Sequence, residues 1–432
     1  MIKNNTLNQW LWKWHILAGL LTLPFMLLLA LTGTIYLFKD NINNQIYQDT
    51  KFVTPTSLNK LPLSQQLEAA QGSTQAKVIG LTLPKLVDQA TVFKVATKGW
   101  MNNDLYVDPY TAKVKGIIEQ DQTLMHSVST LHGELLLGKA GTTVVELVAS
   151  WFIVLILTGL YVWWPKKNTG LGGFLTIRFS RGKRILFRDL HSVTGFWLSI
   201  FMCIILAGGM PWTDIFGSQF KWLQNQTNTG YPQHWTNSKG LISNSLNSSN
   251  ESHVKILSPL SLDEVANIAQ SYKLEGDISI KLPQSAEGVY TISNRSLWLR
   301  DQHVIHIDQY SGSSIKSLQW DQVGIMMDLR QVFMRLHQGE YGLVNWGVLL
   351  AVALFFIMST VAGTVSYFMR KPQGQWGIPK VPERFRVDKV LVTFIILLGV
   401  VFPLFGASLI TIWVWERIKS FQIKRQLKHS NE

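Results

Sequence analysis

The chain contains little charge and a single cysteine. Only 16% of its 432 residues are charged, while 47% are apolar. Because the one cysteine, Cys203, lies within an apolar run, an intramolecular disulfide is excluded. The sequence also lacks a GxGxxG turn after a strand, a P-loop and a nucleophile elbow. We therefore expect this chain to bind no nucleotide.

Long apolar runs and many tryptophans are present instead. Seventeen Trp residues are typical of a protein whose indole rings lie at two membrane interfaces. Each apolar run is long enough, or nearly so, to cross about 30 Å of hydrocarbon. The runs cover residues 17–37, 144–164, 196–211, 344–367 and 391–415. The first is too long for a signal-peptide core and no small-residue cleavage pattern follows it, so we interpret it as a retained helix.

The net charge of +13 is concentrated in two short loops. Such a charge could indicate nucleic-acid binding, but Lys and Arg crowded into short loops are typical of the cytoplasmic side of a membrane protein, where they also contact anionic lipid. The first loop holds Lys166, Lys167, Arg178, Arg181, Lys183, Arg184 and Arg188, and the second holds Arg370, Lys371, Lys380, Arg384, Arg386 and Lys389. We therefore expect membrane lipid but no nucleic acid as a partner, and a cytoplasmic N-terminus.

This orientation predicts five spans, two large outer segments and two inner loops. The spans are predicted at residues 10–38, 142–165, 189–211, 344–369 and 390–416, the outer segments at 40–141 and 212–343, and the basic inner loops at 166–188 and 370–389. The basic tail after Trp415 conflicts with five spans, because it would then lie outside. A break at Pro403 that makes the last span a re-entrant pair would return the tail to the inner side.

Histidines mark both ends of the spans in a duplicated pattern. The four are His15 and His191, which start two spans, and His132 and His337, which precede two others. Each histidine of the first pair is followed eighteen residues later by a glycine, Gly33 or Gly209, about 27 Å along a helix. These glycines lie at the level of the outer histidines and either admit a cofactor or pack helices together. The apolar runs that follow His132 and His337 carry a glycine near their C-terminal ends, Gly159 and Gly363.

The two outer segments also resemble each other. One reads LYVDPYTAKV at 105–114 and the other IHIDQYSGSS at 305–314. In both stretches apolar and polar residues alternate up to an Asp, then come polar or Gly/Pro residues typical of a turn, and the alternation resumes after them. This pattern predicts a β-hairpin. A helix-like stretch precedes each hairpin, at 63–70 and 262–272, and a capping-box pattern begins at Ser261. Each outer segment is therefore predicted to be a small α+β unit.

The order of a His-bearing helix, an α+β unit with the VDPYTAKV hairpin, the segment LHGELLLG and a further helix resembles the PepSY-associated transmembrane family over nearly the whole chain. Within it the chain is similar to iron-regulated membrane proteins that include ferric-siderophore reductases. It departs from the pattern at 308–311, where DQYS replaces DPYT, and His126 has no counterpart in the second half. The predicted fold class is a membrane all-α helical bundle of about five transmembrane helices, built from a tandem internal repeat, with two periplasmic α+β PepSY-like units.

Four histidines in matched pairs indicate a cofactor, because ionisable groups at membrane depth are costly and imidazole is a common haem ligand. Haem is favoured over another metal, since no carboxylate or Cys cluster accompanies them, and it is not c-type because CxxCH is absent. Structural or proton-relay roles are the alternatives. Topology places His15 and His191 inside and His132 and His337 outside, which predicts two b-type haems, each between two histidines. His126 is an alternative ligand to His132.

Other residues near the outer pair receive secondary roles. Glu134 and Glu340 either support the imidazoles or are first-turn helix acids. His303 and His306 flank the second hairpin and are predicted to face solvent. Four aromatic residues could contact a bulky substrate, or form an ordinary interfacial belt. These are Trp212, Trp320, Tyr341 and Trp346.

The resemblance implies a haem-dependent reductase in the inner membrane of a bacterium. It would take electrons from a separate donor, a flavoprotein or a quinol, and reduce a ferric siderophore or other ferric chelate on the periplasmic side. The alternative is that the outer units are binding or inhibitory modules that regulate a peptidase or a signalling partner, with the helices as an anchor. That alternative does not explain the four repeated histidines. The chelate, the donor and the oligomeric state stay open.

Overall fold

The chain folds into a bundle of long helices and an eight-stranded antiparallel sheet. The computed structural model describes residues 2–56, 59–96, 103–165, 171–244, 246–247, 255–256, 258–379, 381–382 and 385–429. Its α-helices are α1 (Ile2–Tyr36), α2 (Lys39–Ile46), α3 (Gln48–Lys51), α4 (Leu63–Gly72), α5 (Leu124–Glu134), α6 (Lys139–Trp163), α7 (Lys183–Gly209), α8 (Ile215–Thr227), α9 (Leu262–Ser271), α10 (Ile325–Gln338), α11 (Gly342–Arg370), α12 (Lys389–Val401) and α13 (Pro403–His429). Its strands are β1 (Val78–Thr82), β2 (Thr91–Val95), β3 (Asn103–Val107), β4 (Val114–Ile118), β5 (Leu246–Asn247), β6 (Lys255–Ile256), β7 (Asp277–Lys281), β8 (Val289–Arg295), β9 (His303–Asp308) and β10 (Ser314–Gln319).

Four helices in the described part of the chain are long and apolar enough to cross a membrane. They cover Thr6–Tyr36, Lys139–Trp163, Lys183–Trp212 and Gly342–Arg370. At about 1.5 Å per residue, each exceeds the thickness of a hydrocarbon core. α1 packs against α6 and α11, and α7 packs against α6 and α11. The first four predicted spans are therefore helices of one bundle, and the chain is a multi-pass membrane protein.

The predicted fifth span, 390–416, is not one helix. α12 ends before Phe402, whose backbone is not helical, and α13 begins at Pro403. A Cβ added at Gly399 would lie 3.1 Å from the Cα of Gly406, whereas residues seven apart in one helix are separated by about 10 Å. The two helices therefore fold back on each other, and residues 390–416 are not one continuous helix. The chain turns at Phe402–Pro403, so that α13 runs back along α12, and the re-entrant alternative stays a prediction.

Aromatic contacts hold this hairpin against the bundle. The indole of Trp151 on α6 packs edge-on against Phe405, with ring centroids 5.0 Å apart, and its Nε1 donates a hydrogen bond to the hydroxyl of Ser408 at 3.1 Å. At the tip, the ring of Phe402 stacks on that of Phe216 in α8. The position of the hairpin is thus fixed by side chains of α6 and α8.

Strands of both outer segments form one sheet rather than two. Its order is β10-β9-β8-β7-β1-β2-β3-β4, so that each half contributes a four-stranded meander and the first strands of the two meanders pair antiparallel. In this join Leu81 lies opposite Ile280, and a Cβ added at Gly80 would lie 2.7 Å from the carbonyl oxygen of Ile280. The architecture is therefore mixed α+β and not the predicted all-α bundle, because the strands of both outer segments join in one sheet.

Helices α4 and α9 pack side by side on one face of this sheet and complete its core. The capping box predicted at Ser261 is present at the start of α9. Asp263 in its first turn accepts hydrogen bonds from the backbone N–H groups of Leu63 and Ser64 at the start of α4. Burial alone would raise the pKa of Asp263, but the hydrogen bonds from Ser64 and Leu63 outweigh it and lower that pKa. One carboxylate therefore caps the helix of the other half.

Candidate functional site

The four histidines of the duplicated pattern lie in two adjacent pairs within the bundle. The ring centroids of His15 and His191 are 6.2 Å apart, and those of His132 and His337 are 6.1 Å apart. The members of each pair are those that the topology places at one membrane level. His126 lies on α5 six residues before His132, and the ring that pairs with His337 is that of His132.

Short helices bring the outer pair to the bundle. His132 lies near the end of α5 and His337 near the end of α10. Left-handed backbone at Leu135 and Leu136 follows α5, and at Gly339 it follows α10. These turns reverse the chain before α6 and α11, so that each outer histidine precedes its span on a separate helix. His15 and His191, in contrast, lie inside the long helices α1 and α7.

Each histidine ring packs against a glycine of a neighbouring helix. A Cβ added at Gly33 would lie 3.2 Å from Cε1 of His132, and one at Gly209 would lie 3.4 Å from Cε1 of His337. These are the outer-level glycines of the sequence pattern, and the glycine beside His337 is preceded by Gly208, itself in contact with that histidine. An added Cβ would therefore press slightly on the ring of His132 at Gly33 and would be in ordinary contact with the ring of His337 at Gly209.

The inner pair repeats the arrangement with two glycines to which the sequence pattern assigned no role. A Cβ added at Gly159 would lie 3.1 Å from Cε1 of His15, and one at Gly363 would lie 2.7 Å from Nδ1 of His191. A repeated Thr-Gly dipeptide, at 32–33 and 158–159, was the signal that could have found one of them.

Hydrogen bonds engage Nδ1 of all four rings. Nδ1 of His191 lies 3.0 Å from the carbonyl oxygen of Ser359, and Nδ1 of His337 lies 2.8 Å from that of Ile205. Both carbonyls belong to the residue four positions before the contacting glycine. An Nδ1–H donated to a carbonyl fixes the tautomer and leaves the lone pair of Nε2 for a metal.

Threonine hydroxyls complete the same arrangement in the first half. Nδ1 of His15 lies 3.0 Å from the Thr158 hydroxyl, and Nδ1 of His132 lies 3.0 Å from the Thr32 hydroxyl. Each hydroxyl also donates to a carbonyl of its own helix, so it can accept from the imidazole N–H. All four Nε2 atoms are therefore the available ligands.

The spacing within each pair would suit two imidazoles that bind one metal ion between them. A metal–nitrogen bond of about 2.0 Å, with the nitrogen about 1.1 Å from the ring centre, separates two such ring centres by about 6 Å. Among the described residues no group of three or more His, Cys, Asp or Glu side chains could hold a metal ion. A flat cofactor that supplies its own equatorial ligands fits this donor set better than a bare metal does.

Glu340 and Glu134, the acidic residues beside the outer pair, lie in different surroundings. Glu340 accepts hydrogen bonds from Lys39 and Arg295, each at 2.9 Å, and so joins three segments of the outer side. Burial alone would raise the pKa of Glu340, but these two cations outweigh it and lower that pKa. The carboxylate of Glu340 is thus engaged by two cations, and the residue lies before the start of α11. Glu134 is the last residue of α5, and its carbonyl oxygen accepts a hydrogen bond from the backbone N–H of Leu137 at 2.8 Å.

The prediction that His306 faces solvent is wrong. Its side chain is fully buried, with Nδ1 2.9 Å from the Thr291 hydroxyl and Nε2 2.9 Å from the carbonyl oxygen of His234. The segment around His234 buries this side chain, because it covers this face of the sheet. His303 is partly exposed and contacts the carbonyl of Asp301. Both histidines lie on β9 and form their hydrogen bonds with other residues of the outer segment.

A cavity of about 360 Å³ opens on the outer side beside α10, which is within the size range of small-molecule sites. Its lining includes Trp212, Arg295, Arg335 and Gln338, the last of which follows His337. Trp212 is the one residue of the predicted aromatic set that lines it. Trp320 is buried against Tyr231 and Trp235, Tyr341 stacks on Trp298, and Trp346 donates to the carbonyl of Leu37.

Comparison with known proteins agrees with this architecture. No curated protein matches the chain. The family model of the PepSY-associated TM region matches residues 12–370, from α1 to the end of α11, and thus includes all four histidines and both halves of the sheet. The chain belongs to the PepSY-associated TM family.

Proposed function

We propose that this protein carries electrons through the membrane on two b-type haems. His15 and His191 would bind the inner haem, and His132 and His337 the outer one. The observation that supports this most strongly is the matched spacing of 6.2 Å and 6.1 Å, together with the engagement of Nδ1 in all four rings. A purely structural histidine would not need its second nitrogen free at the same spacing in two places.

Haem, when bound, supplies a one-electron couple that no side chain of the two sites provides. The residues of the chain would orient the imidazoles through the hydrogen bonds at Nδ1. An apolar layer separates the two levels, with Leu198, Met202 and Val352 buried and with Phe152 edge-on to Phe356 at 5.5 Å. This layer fixes the distance between the sites.

The acceptor and the donor are proposed from the family resemblance. A ferric siderophore or other ferric chelate would receive the electron on the periplasmic side, and the cavity beside α10 offers a place where it can approach the outer pair. A flavoprotein or a quinol would supply electrons on the cytoplasmic side. The setting would be a bacterial inner membrane with the N-terminus inside, since the re-entrant hairpin returns the basic tail to the side of the basic loops.

Absorption spectroscopy tests the first part of this proposal. Protein purified from haem-replete cells should show a b-type spectrum with two haems per chain. A colourless preparation would contradict it and would favour the regulatory alternative, in which the outer sheet binds a peptidase or signalling partner.

Anaerobic reoxidation tests the second part. The reduced protein is mixed with single ferric chelates, and the haem bands are followed. We expect at least one ferric chelate to reoxidise the haem. If a quinone does so and no ferric chelate does, the electron path ends elsewhere and the reductase proposal fails.

A further inference from the structure

An arginine stacked on a tryptophan lies beyond the outer histidine pair. The guanidinium of Arg330 is 4.0 Å from the ring centroid of Trp212. Arg330 precedes His337 by seven residues on α10, and Trp212 follows Gly209, the glycine beside that histidine, by three. Seven residues are about two helical turns, so Arg330 lies on the same face of α10 as His337, about 10.5 Å away along the axis of that helix.

The inner pair has the same feature in mirrored order. The guanidinium of Arg370 is 4.1 Å from the ring centroid of Trp12. Trp12 precedes His15 by three residues, and Arg370 follows Gly363, the glycine beside His191, by seven. At both levels, therefore, the arginine lies seven residues and the tryptophan three residues along the chain from a histidine of the pair or from its contacting glycine.

Neither arginine has an acidic partner among the ion pairs of the described residues. Both side chains are partly buried, and the Nε of Arg330 is buried without a hydrogen-bond partner. At the inner site Arg184, seven residues before His191, lies near enough for its charge to act on that of Arg370. Two cations gathered without a carboxylate favour an anion between them.

We propose that Arg330 and Arg370 bind the carboxylates of the outer and the inner haem respectively. The inference rests on the proposed function, since it concerns the same two sites. A b-type haem carries its two carboxylates at one edge of the macrocycle, and the planar guanidinium is suited to a carboxylate in a partly buried place. Trp212 and Trp12 hold each guanidinium over an indole ring, at 4.0 Å and 4.1 Å from its centroid.

Redox titration of the purified holoprotein tests this inference. The variants are Arg330→Gln and Arg370→Gln, and each is the control for the other because each concerns one site. Loss of the guanidinium leaves a carboxylate charge uncompensated near one iron, which favours the ferric state. We expect Arg330→Gln to lower the midpoint potential of the haem that His337→Ala removes, and Arg370→Gln to lower that of the haem that His191→Ala removes.

Two further variants separate this role from a general effect on folding. Arg330→Lys and Arg370→Lys keep a positive charge, so the midpoint potential of each haem should stay close to its wild-type value. Arg417→Gln removes another arginine over a tryptophan, Trp413, on exposed α13, and should change neither haem. If a Gln variant loses only its own haem while the other keeps its spectrum, the inference is supported.

Unchanged midpoints in both Gln variants would overturn the inference while leaving the dihaem proposal intact. Equal shifts of both haems in both variants would also overturn it. A wild-type protein without haem would instead overturn the proposed function itself.

Discussion

An alanine at Gly363 is the most direct test of the inner site. The added Cβ would lie 2.7 Å from Nδ1 of His191 and 3.0 Å from its Cε1 and Cγ. Because ordinary contact begins at 3.4 Å, the ring has to move by about 0.7 Å. Metal–ligand distances hold to within about 0.2 Å, and overpacking costs about 1–3 kcal/mol. We therefore expect Gly363→Ala to lose one haem and to retain the other.

The other three glycines provide a graded series. An alanine at Gly159 or Gly33 would meet its histidine at 3.1 Å or 3.2 Å, and at Gly209 at 3.4 Å. The expected order of haem loss is therefore Gly363→Ala first, Gly159→Ala and Gly33→Ala next, and Gly209→Ala least. Gly347→Ala is the matched control on α11, since nothing lies within 4 Å of its added Cβ.

The assay is the ratio of extracted haem to protein, measured on samples that elute as a single species in size-exclusion chromatography. A Gly363→Ala protein with two haems and wild-type spectra would refute the reasoning, because the ring could not then be held where the structure places it. Equal haem loss in the Gly347→Ala control would refute it too, since the effect would then come from α11 as a whole.

Three further results are expected. His15→Ala and His191→Ala should remove the same haem. His132→Ala and His337→Ala should remove the other haem. If the His15 and His132 variants lost the same haem, the pairing would be wrong. Asp263→Ala should destabilise the outer sheet by about 1 kcal/mol through loss of a helix cap, measured by denaturant unfolding. Because the folded pKa of Asp263 is lowered, its contribution should be full above about pH 4 and lost as the pH falls through that pKa; a difference between wild type and variant that stayed constant down to strong acid would contradict this.

The sequence indicates the histidine pairs because the chain is duplicated. Two copies of a pattern show which residues are retained, and the direction of each span shows which histidines share a level. The same reasoning places Gly33 and Gly209 beside the outer pair, where they are found. It does not predict that Gly363 contacts His191, because a late glycine in an apolar run is equally expected from helix packing.

Features that depend on distant contacts are not visible in the sequence. The pairing of β1 with β7 joins strands nearly two hundred residues apart, and no local pattern specifies it. Pro403 predicts a break, but whether the chain then continues or turns back depends on contacts such as that between Trp151 and Phe405. His306 has a polar, alternating context typical of an exposed strand residue, and only the covering segment makes it buried.

Both candidate sites depend on the meeting of the two halves. Within one half each histidine is already oriented, since His15 rests on Gly159 and His132 on Gly33, all in the first copy. A single half, however, supplies only one imidazole at each level, so each ring pair forms only where the two halves meet. The second half supplies the other imidazole of each pair, and the pairing of β1 with β7 joins the halves again outside the bundle. The shared sheet is therefore a second connection between the two half-sites, in addition to the helix contacts within the bundle.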